Sequence, residues 1–205
     1  MLARPFPAPL LFLVFIISGA AAMIYQMAWQ RSLLLLYGSN AESVAMVVAA
    51  FLVGLGLGSL MGGAVSQRTG VPLVVLFAVA ELLIGCYGLV SLQLFAWVGE
   101  LTVGSGMVAT GVLAFSLVLF PTLLMGATLP LLVAHQVGIT HQAGRSVSDL
   151  YFVNTLGAGL GAIFTSSILL GVLGLWGTVT LAAVLNVTTA VAMLVAWTQV
   201  RRTVV

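Results

Sequence analysis

The sequence predicts an all-α integral membrane protein that crosses the bilayer six times. Three observations lead to this fold class. Hydrophobic residues make up 62% of the 205 positions, charged residues make up only 5%, and the apolar residues gather in six long stretches. A water-soluble domain needs far more charge to cover its surface. The composition therefore excludes a soluble protein.

A spanning helix requires about 20 mostly apolar residues. Six stretches meet this requirement: 8–29, 43–65, 72–97, 105–134, 150–171 and 176–198. The first resembles a signal peptide, but its apolar character continues to Leu36, so a retained helix is expected. In the fourth, Pro121 and Pro130 predict a kink, because proline removes a backbone donor.

Short breaks separate the spans. The longest is predicted at residues 135–149, and another at residues 99–100. Residues 171–174 are predicted to form a short apolar turn. Because six is even, both chain ends are expected on the same side of the membrane.

The arginines orient the chain. With the N-terminus in the cytoplasm, five of the six arginines fall on the cytoplasmic side, which is the bias of membrane proteins. These five are Arg4, Arg68, Arg145, Arg201 and Arg202, whereas Arg31, Glu42 and Glu100 fall outside. The expected location is the bacterial cytoplasmic (inner) membrane, with both termini cytoplasmic.

The four tryptophans mark the expected membrane boundaries. Trp29, Trp97, Trp176 and Trp197 all fall near the ends of predicted spans. Tryptophan is enriched at membrane–water interfaces. An interfacial aromatic belt is therefore expected from these four residues.

Two glycine stripes predict close helix packing. Gly54, Gly58 and Gly62 recur at every fourth residue of the second span, and Gly157 and Gly161 do so in the fifth. Helices in lipid approach closely where small residues line the contact. The second and fifth helices are therefore expected to pack tightly on neighbours, and a ligand role for the stripes is disfavoured.

Polar residues inside the spans are the candidates for a site. Glu81 lies about 15 Å along the third span, near the expected midplane, where an ionised carboxylate is costly. Gln26, Asn154 and the neighbouring Tyr25 are further candidates. Asn186 is another polar residue inside a span, and its match to a glycosylation sequon is discounted because it lies in the sixth span. For Asn154, Asn186 and Gln26, a hydrogen bond across a helix contact is the favoured interpretation.

Two interpretations of Glu81 stay open. In one, its carboxyl group binds a cation or a proton, or lines a polar path. In the other, it is protonated or hydrogen-bonded to Gln26, Asn154 or a backbone carbonyl, and holds helices together.

Several kinds of chemistry are not expected from this chain. His135 and His141 are too few for a zinc site and are misplaced for a haem, and Cys86 is interpreted as a packing residue. The basic residues do not cluster as nucleic-acid binding requires. We therefore expect no catalytic residues, no metal, no cofactor and no nucleic-acid partner.

Several segments resemble the membrane domain of fused major facilitator/spermidine synthase proteins. The resemblance rests on five segments in the family's order: Tyr25-Gln26-x-x-Trp29-x-Arg31, the run 49–63, Glu81-Leu-Leu-Ile-Gly85-x-Tyr87, Pro121-Thr-Leu-Leu-Met-Gly-Ala-Thr-Leu-Pro130, and Leu150-Tyr151-x-x-Asn154-Thr155-Leu-Gly157-Ala. Relatives of this kind usually carry a soluble aminopropyltransferase domain after the membrane region. The chain is expected to stand alone without that domain, so no enzymatic activity is expected from it.

A looser similarity is to one six-helix half of a major facilitator transporter. Gly63-x-x-x-Gln67-Arg68-x-Gly70 is similar to the loop signature after the second helix of those proteins, with Gln67 in place of an aspartate and Val71 in place of a basic residue. Transporters of this type need two six-helix halves around a midplane site. Transport would therefore require a homodimer or another membrane subunit.

The resemblance leaves three functions open. The chain is expected to be a non-catalytic membrane module, either transporter-like for a small cationic solute such as a polyamine, or a membrane anchor for a partner. The alternative is a structural accessory subunit of a larger membrane complex. An aminopropyltransferase supplied on a separate polypeptide ranks third.

Overall fold

The protein folds as six long helices, as the sequence predicts. The computed structural model describes residues 6, 8–37, 41–68, 70, 72–104 and 106–202, so Arg4, Thr69 and Val71 lie outside the described residues. No strand is present among the residues it describes. The helices are α1 (Ala8–Tyr37), α2 (Ala41–Ser66), α3 (Leu73–Leu101), α4 (Met107–Thr140), α5 (Ala143–Val172) and α6 (Gly174–Arg202).

Each of the six helices is long and apolar enough to cross a membrane. α5 is α-helical over Ala143–Phe164 and then makes one π-helical turn, Thr165–Leu169, before its last residues. The predicted apolar turn at 171–174 is confirmed: Leu173 interrupts the helix and Gly174 has a φ of +64°. α4 is helical through both prolines, and a kink there stays a prediction.

The predicted break at residues 135–149 is wrong. α4 continues to Thr140 and α5 begins at Ala143, so only His141 and Gln142 join them. His141 adopts a φ of +56°, which reverses the chain. Helices continue beyond the lipid when their polar side chains are solvated, and hydropathy alone does not detect this. The break at 99–100 is wrong for the same reason, because α3 runs on to Leu101.

The helix contacts indicate an internal repeat. The most extensive contacts join α2 to α4, α1 to α5, α3 to α6, α3 to α4 and α1 to α6. Exchanging α1, α2 and α3 for α4, α5 and α6 maps this set of pairs onto itself. Because each unit has three helices, the second unit enters the bilayer from the opposite side, as in inverted repeats of transporters.

The glycine stripes lie at the two equivalent helix pairs. A Cβ atom at Gly58 would collide with the backbone carbonyl of Leu123 on α4, and one at Gly161 would collide with that of Ala20 on α1. Gly161 follows Gly58 in the sequence by the same number of positions as Leu123 follows Ala20. Gly54 and Gly62 also face α4, and Gly157 faces α1.

The buried apolar residues form two clusters. One holds the first parts of α1 and α3 with the last parts of α4 and α6, including Phe15, Phe77 and Met193. The other is centred on Tyr25 and Trp29 and includes residues from the opposite helix ends. This division confirms that successive helices run in opposite directions.

Trp29 is not an interfacial residue, so the four-tryptophan belt is wrong at this position. α1 extends well past it to Tyr37, and its side chain is 0% exposed. The Trp29 ring stacks on Tyr25 at 4.7 Å between centroids, and its Nε1 donates to the Ser91 hydroxyl at 2.9 Å. The prediction failed because the span was ended too early. Trp97 and Trp176 are exposed, as an interfacial position requires.

Candidate functional site

A buried carboxyl group holds three helices together. Glu81 of α3 has no exposed surface. The Ser18 hydroxyl of α1 donates to its Oε1 at 2.5 Å, and the Asn186 amide of α6 donates to its Oε2 at 2.6 Å. Both carboxyl oxygens are therefore hydrogen-bonded to side chains from other helices.

This polar group lies between the two apolar clusters. Along α1, Ser18 falls between Phe15 of the first cluster and Ala21 of the second. Along α3, Glu81 falls in the same way between Ala78 and Ile84. The three side chains thus form one polar layer across an otherwise apolar core, and the depth of this layer in a bilayer stays a prediction.

Small residues make room for the polar layer. Gly85, one turn after Glu81, lies against Ala183, Asn186 and Val187 of α6, so a side chain there would require these neighbours to shift by a few tenths of an ångström. Close approach of helices through glycine lets short polar side chains meet across the contact. Gly85 is therefore part of the reason that Asn186 reaches Glu81.

The sequence did not predict the partners of Glu81. Among the described residues its hydrogen bonds come from Ser18 and Asn186, and not from Gln26, Asn154 or a backbone group. Asn186 was recognised as a polar residue inside a span but not as a partner of Glu81, whereas Ser18 was missed. A lone serine in an apolar run gives no signal by itself.

A cleft opens beside this layer. Its volume is about 260 Å³, and its walls come from α1, α2, α4 and α5. Its polar lining residues are Ser18, Ser59, Thr128, Tyr151 and Asn154. Ser18 therefore belongs both to the cleft wall and to the hydrogen bond with Glu81, which connects the buried acid to an open space.

The remaining candidates lie in different surroundings. Asn154 is half-buried in the cleft wall, where Gly19 of α1 lies against its backbone and side chain. Tyr25 is fully buried next to Gly88, and its hydroxyl has no hydrogen-bond partner in the part of the chain that the structure describes. Gln26 is half-buried and does not line the cleft. The structure therefore brings Asn154 and Glu81 to one region and leaves Gln26 out of it.

No group of three or more potential metal ligands is present among the described histidine, cysteine, aspartate and glutamate residues. The cleft offers hydroxyl and amide groups for hydrogen bonding, and one carboxyl group lies behind Ser18.

One curated protein is similar to most of this chain. Over 155 residues, which are 75% of the chain, the sequence is 27% identical to polyamine aminopropyltransferase 1 of Streptomyces coelicolor. Those residues cover 28% of that protein, so the chain spans less than a third of the length of the relative it matches. No family model matches the chain, and no solved structure matches it. The chain is thus an all-helical, six-span protein with a distant likeness to part of a polyamine-related enzyme.

Proposed function

We propose that this chain is a non-catalytic membrane module that binds a small cationic solute, such as a polyamine, in the cleft. It would transport the solute when paired with a second copy or another subunit. The observation that carries this proposal is Ser18, which lines the cleft and whose hydroxyl donates to the buried carboxyl group of Glu81.

The electrostatics of the bundle favour a cation. Glu81 is the one charged side chain among the described residues that is buried. An acid inside a membrane protein is costly unless a positive charge, a proton or strong donors compensate it. A solute with an ammonium group would supply a compensating positive charge from the cleft, on the other side of Ser18 from Glu81.

The arrangement of the helices supports a transporter-like role. The cleft lies among α1, α2, α4 and α5, which are the two pairs that the internal repeat makes equivalent. Transporters bind their solutes between inverted repeats. A cleft at this position is what such a repeat would produce.

A second copy or another subunit would cover the open side of the cleft. Tyr151 and Ser59 are exposed and Asn154 is half-exposed on that side. Polar side chains within a membrane face protein or a water-filled cavity rather than lipid. α5 is also the least buried of the six helices and the least apolar, which fits a protein contact.

The test is uptake of radiolabelled spermidine into vesicles that contain the purified protein. Glu81→Gln should lower uptake about tenfold or more, because a hydrogen bond to a charged group contributes on the order of 1.5 to 3 kcal/mol. The matched control is Glu100→Gln at the exposed end of the same helix, which should leave uptake unchanged. Equal uptake by the wild-type protein and empty vesicles, together with no binding of spermidine to the purified protein, would contradict the proposal.

The second candidate function is a membrane anchor for an enzyme that acts on polyamines. The similarity to a minor part of a polyamine aminopropyltransferase favours it. Gentle extraction from native membranes should then recover a soluble aminopropyltransferase in a constant ratio to the chain. Recovery of the chain without such a protein would contradict the anchor and leave the transporter-like proposal standing.

A further inference from the structure

We infer that a cation in the cleft and a proton on Glu81 exclude each other, so that binding of the solute releases one proton through the Ser18 hydroxyl. This inference rests on the proposed function, because it concerns the same cleft and the same solute class. It adds that occupancy is linked to the protonation of one buried group.

Asn186 determines which carboxyl oxygen carries the proton. Its amide nitrogen donates to Oε2 of Glu81 at 2.6 Å. An oxygen whose lone pair accepts this N–H hydrogen bond binds a proton less readily than the other oxygen does. The proton of the neutral acid is therefore carried by Oε1, which is the oxygen that faces Ser18.

The Ser18 hydroxyl has two orientations, because it has one hydrogen and two acceptor lone pairs. When Glu81 is ionised, Ser18 donates to Oε1 and presents only lone pairs to the cleft. When Glu81 is protonated, its O–H donates to Ser18, and the serine hydrogen turns towards the cleft. The cleft wall therefore accepts hydrogen bonds in the first state and donates one in the second. An ammonium group has only hydrogens to donate, so it fits the first state.

In the empty cleft the neutral acid is the favoured form. Glu81 has no exposed surface and no basic partner among the described residues, and a buried carboxylate without a positive charge beside it is expensive. The helices packed on α3 are α1, α4 and α6. Their titratable side chains in the described residues, with those of α3 itself, are Tyr25, Arg31, Cys86, Tyr87, Glu100, His135, Arg201 and Arg202.

None of these groups replaces the solute as a counter-ion for Glu81. Arg31, Arg201 and Arg202 are exposed near the helix ends, and His135 packs edge-on against Phe6. Tyr87 donates its hydroxyl hydrogen to the carbonyl oxygen of Leu117. A positive charge therefore has to arrive from the cleft.

The exchange balances in atoms and charge. The O–H bond of Glu81 breaks as its proton passes to Ser18 Oγ, and the former serine hydrogen leaves to a water molecule in the cleft. The solute enters already as an ammonium ion. At Glu81 one ammonium group takes the place of one proton, so the charge next to the carboxyl group is conserved. The other ammonium groups of a polyamine add their positive charge to the rest of the cleft.

The experiment measures spermidine binding to the purified protein in lipid nanodiscs, by calorimetry in two buffers of different ionisation enthalpy. Binding should release about one proton, and its affinity should fall about tenfold for each unit by which the pH is lowered, as reciprocal linkage requires. In infrared difference spectra, spermidine should remove a protonated-carboxyl band. Glu81→Gln should lack this band, bind more weakly, release no proton and lose the pH dependence.

Two matched variants localise the link. Ser18→Ala removes the hydroxyl that connects Glu81 to the cleft, and it should weaken spermidine binding and its pH dependence. Ser116→Ala removes a hydroxyl of α4 that bonds to Val112 of its own helix and does not line the cleft, and it should keep both the binding and the proton release. Unfolding midpoints of all variants check that they fold, and the Asn186 amide nitrogen can still donate to the side-chain oxygen of the glutamine in the Glu81→Gln protein.

The outcomes separate this inference from the proposed function. Spermidine binding and uptake without proton release, or with the same release in Glu81→Gln, would overturn the inference and leave the proposed function intact. Absence of spermidine binding to the wild-type protein at any pH would overturn both.

Discussion

Replacing Trp29 with alanine should lower the free energy of unfolding by about 3 kcal/mol, near the lower end of the cost of deleting a large buried aromatic side chain. The Trp29 side chain is fully buried and stacks on Tyr25. It also makes edge contacts with Tyr87 at 5.8 Å and Phe95 at 6.0 Å between centroids. Alanine would leave a cavity among all three rings.

The loss would come from packing and hydrogen bonding rather than from exposure to water. In lipid there is no hydrophobic drive that buries an aromatic ring. Trp29 Nε1 donates to Ser91, and the Ser91 hydroxyl in turn donates to the carbonyl of Gly88. Removing the indole therefore also takes a donor away from a buried hydroxyl oxygen.

Unfolding of the purified variant in mixed detergent micelles, followed by circular dichroism, measures this effect. Trp176→Ala is the matched control, because it deletes the same side chain at a position that is 53% exposed. We expect a change of less than about 0.5 kcal/mol for that control, as for other surface positions. Equal effects of the two substitutions would show that Trp29 does not belong to a packed core.

The aromatic core around Trp29 shows that the number of helices can be predicted from the sequence, whereas the positions of their ends cannot. Hydropathy locates six helices because a spanning helix needs a long apolar run, and this requirement does not depend on tertiary structure. Where a helix ends does depend on its surroundings. α1 continues from Trp29 to Tyr37, which turns an apparent interfacial tryptophan into a core residue.

The site was predictable in part, for a similar reason. An acid within an apolar span stands out, so Glu81 is recognisable as a candidate without a structure. Its partners are not recognisable, because Asn186 is 105 positions away in the sequence and Ser18 is an ordinary residue for a membrane helix. Only the packing of α1, α3 and α6 brings the three side chains together.

The internal repeat was also hidden from sequence reasoning. The stripes of α2 and α5 were recognised separately as packing surfaces. Their equivalence appears only when their partners are known, since Gly58 lies on Leu123 of α4 and Gly161 on Ala20 of α1. The two units repeat the pairing of helices and not the identity of their residues, so the sequence gives little sign of the repeat.

The second large effect is expected where α2 packs on α4. Gly58→Ala should lower the free energy of unfolding by about 1 to 3 kcal/mol, which is the usual cost of overpacking. A Cβ atom at this position would collide with the backbone carbonyl of Leu123. Backbone atoms cannot turn aside as a flexible side chain can, so the two helices would have to separate.

Gly56→Ala provides the control, because it makes the same substitution two residues earlier in the same helix but in different surroundings. The same helix presents Gly56 to open space, with no atom within 4 Å of an added Cβ. Because alanine favours helix formation over glycine by about 1 kcal/mol, this control should be neutral or slightly stabilising. The two variants therefore carry the same change in composition and the same change in helix propensity, and their difference isolates the contact with α4.

The inverted repeat further requires Gly161→Ala on α5 to destabilise and Gly159→Ala to be tolerated, since Gly159 also faces open space. If the alanines at positions 58 and 161 were tolerated as well as those at 56 and 159 in the same unfolding assay, the two equivalent close contacts, and with them the repeat, would be wrong.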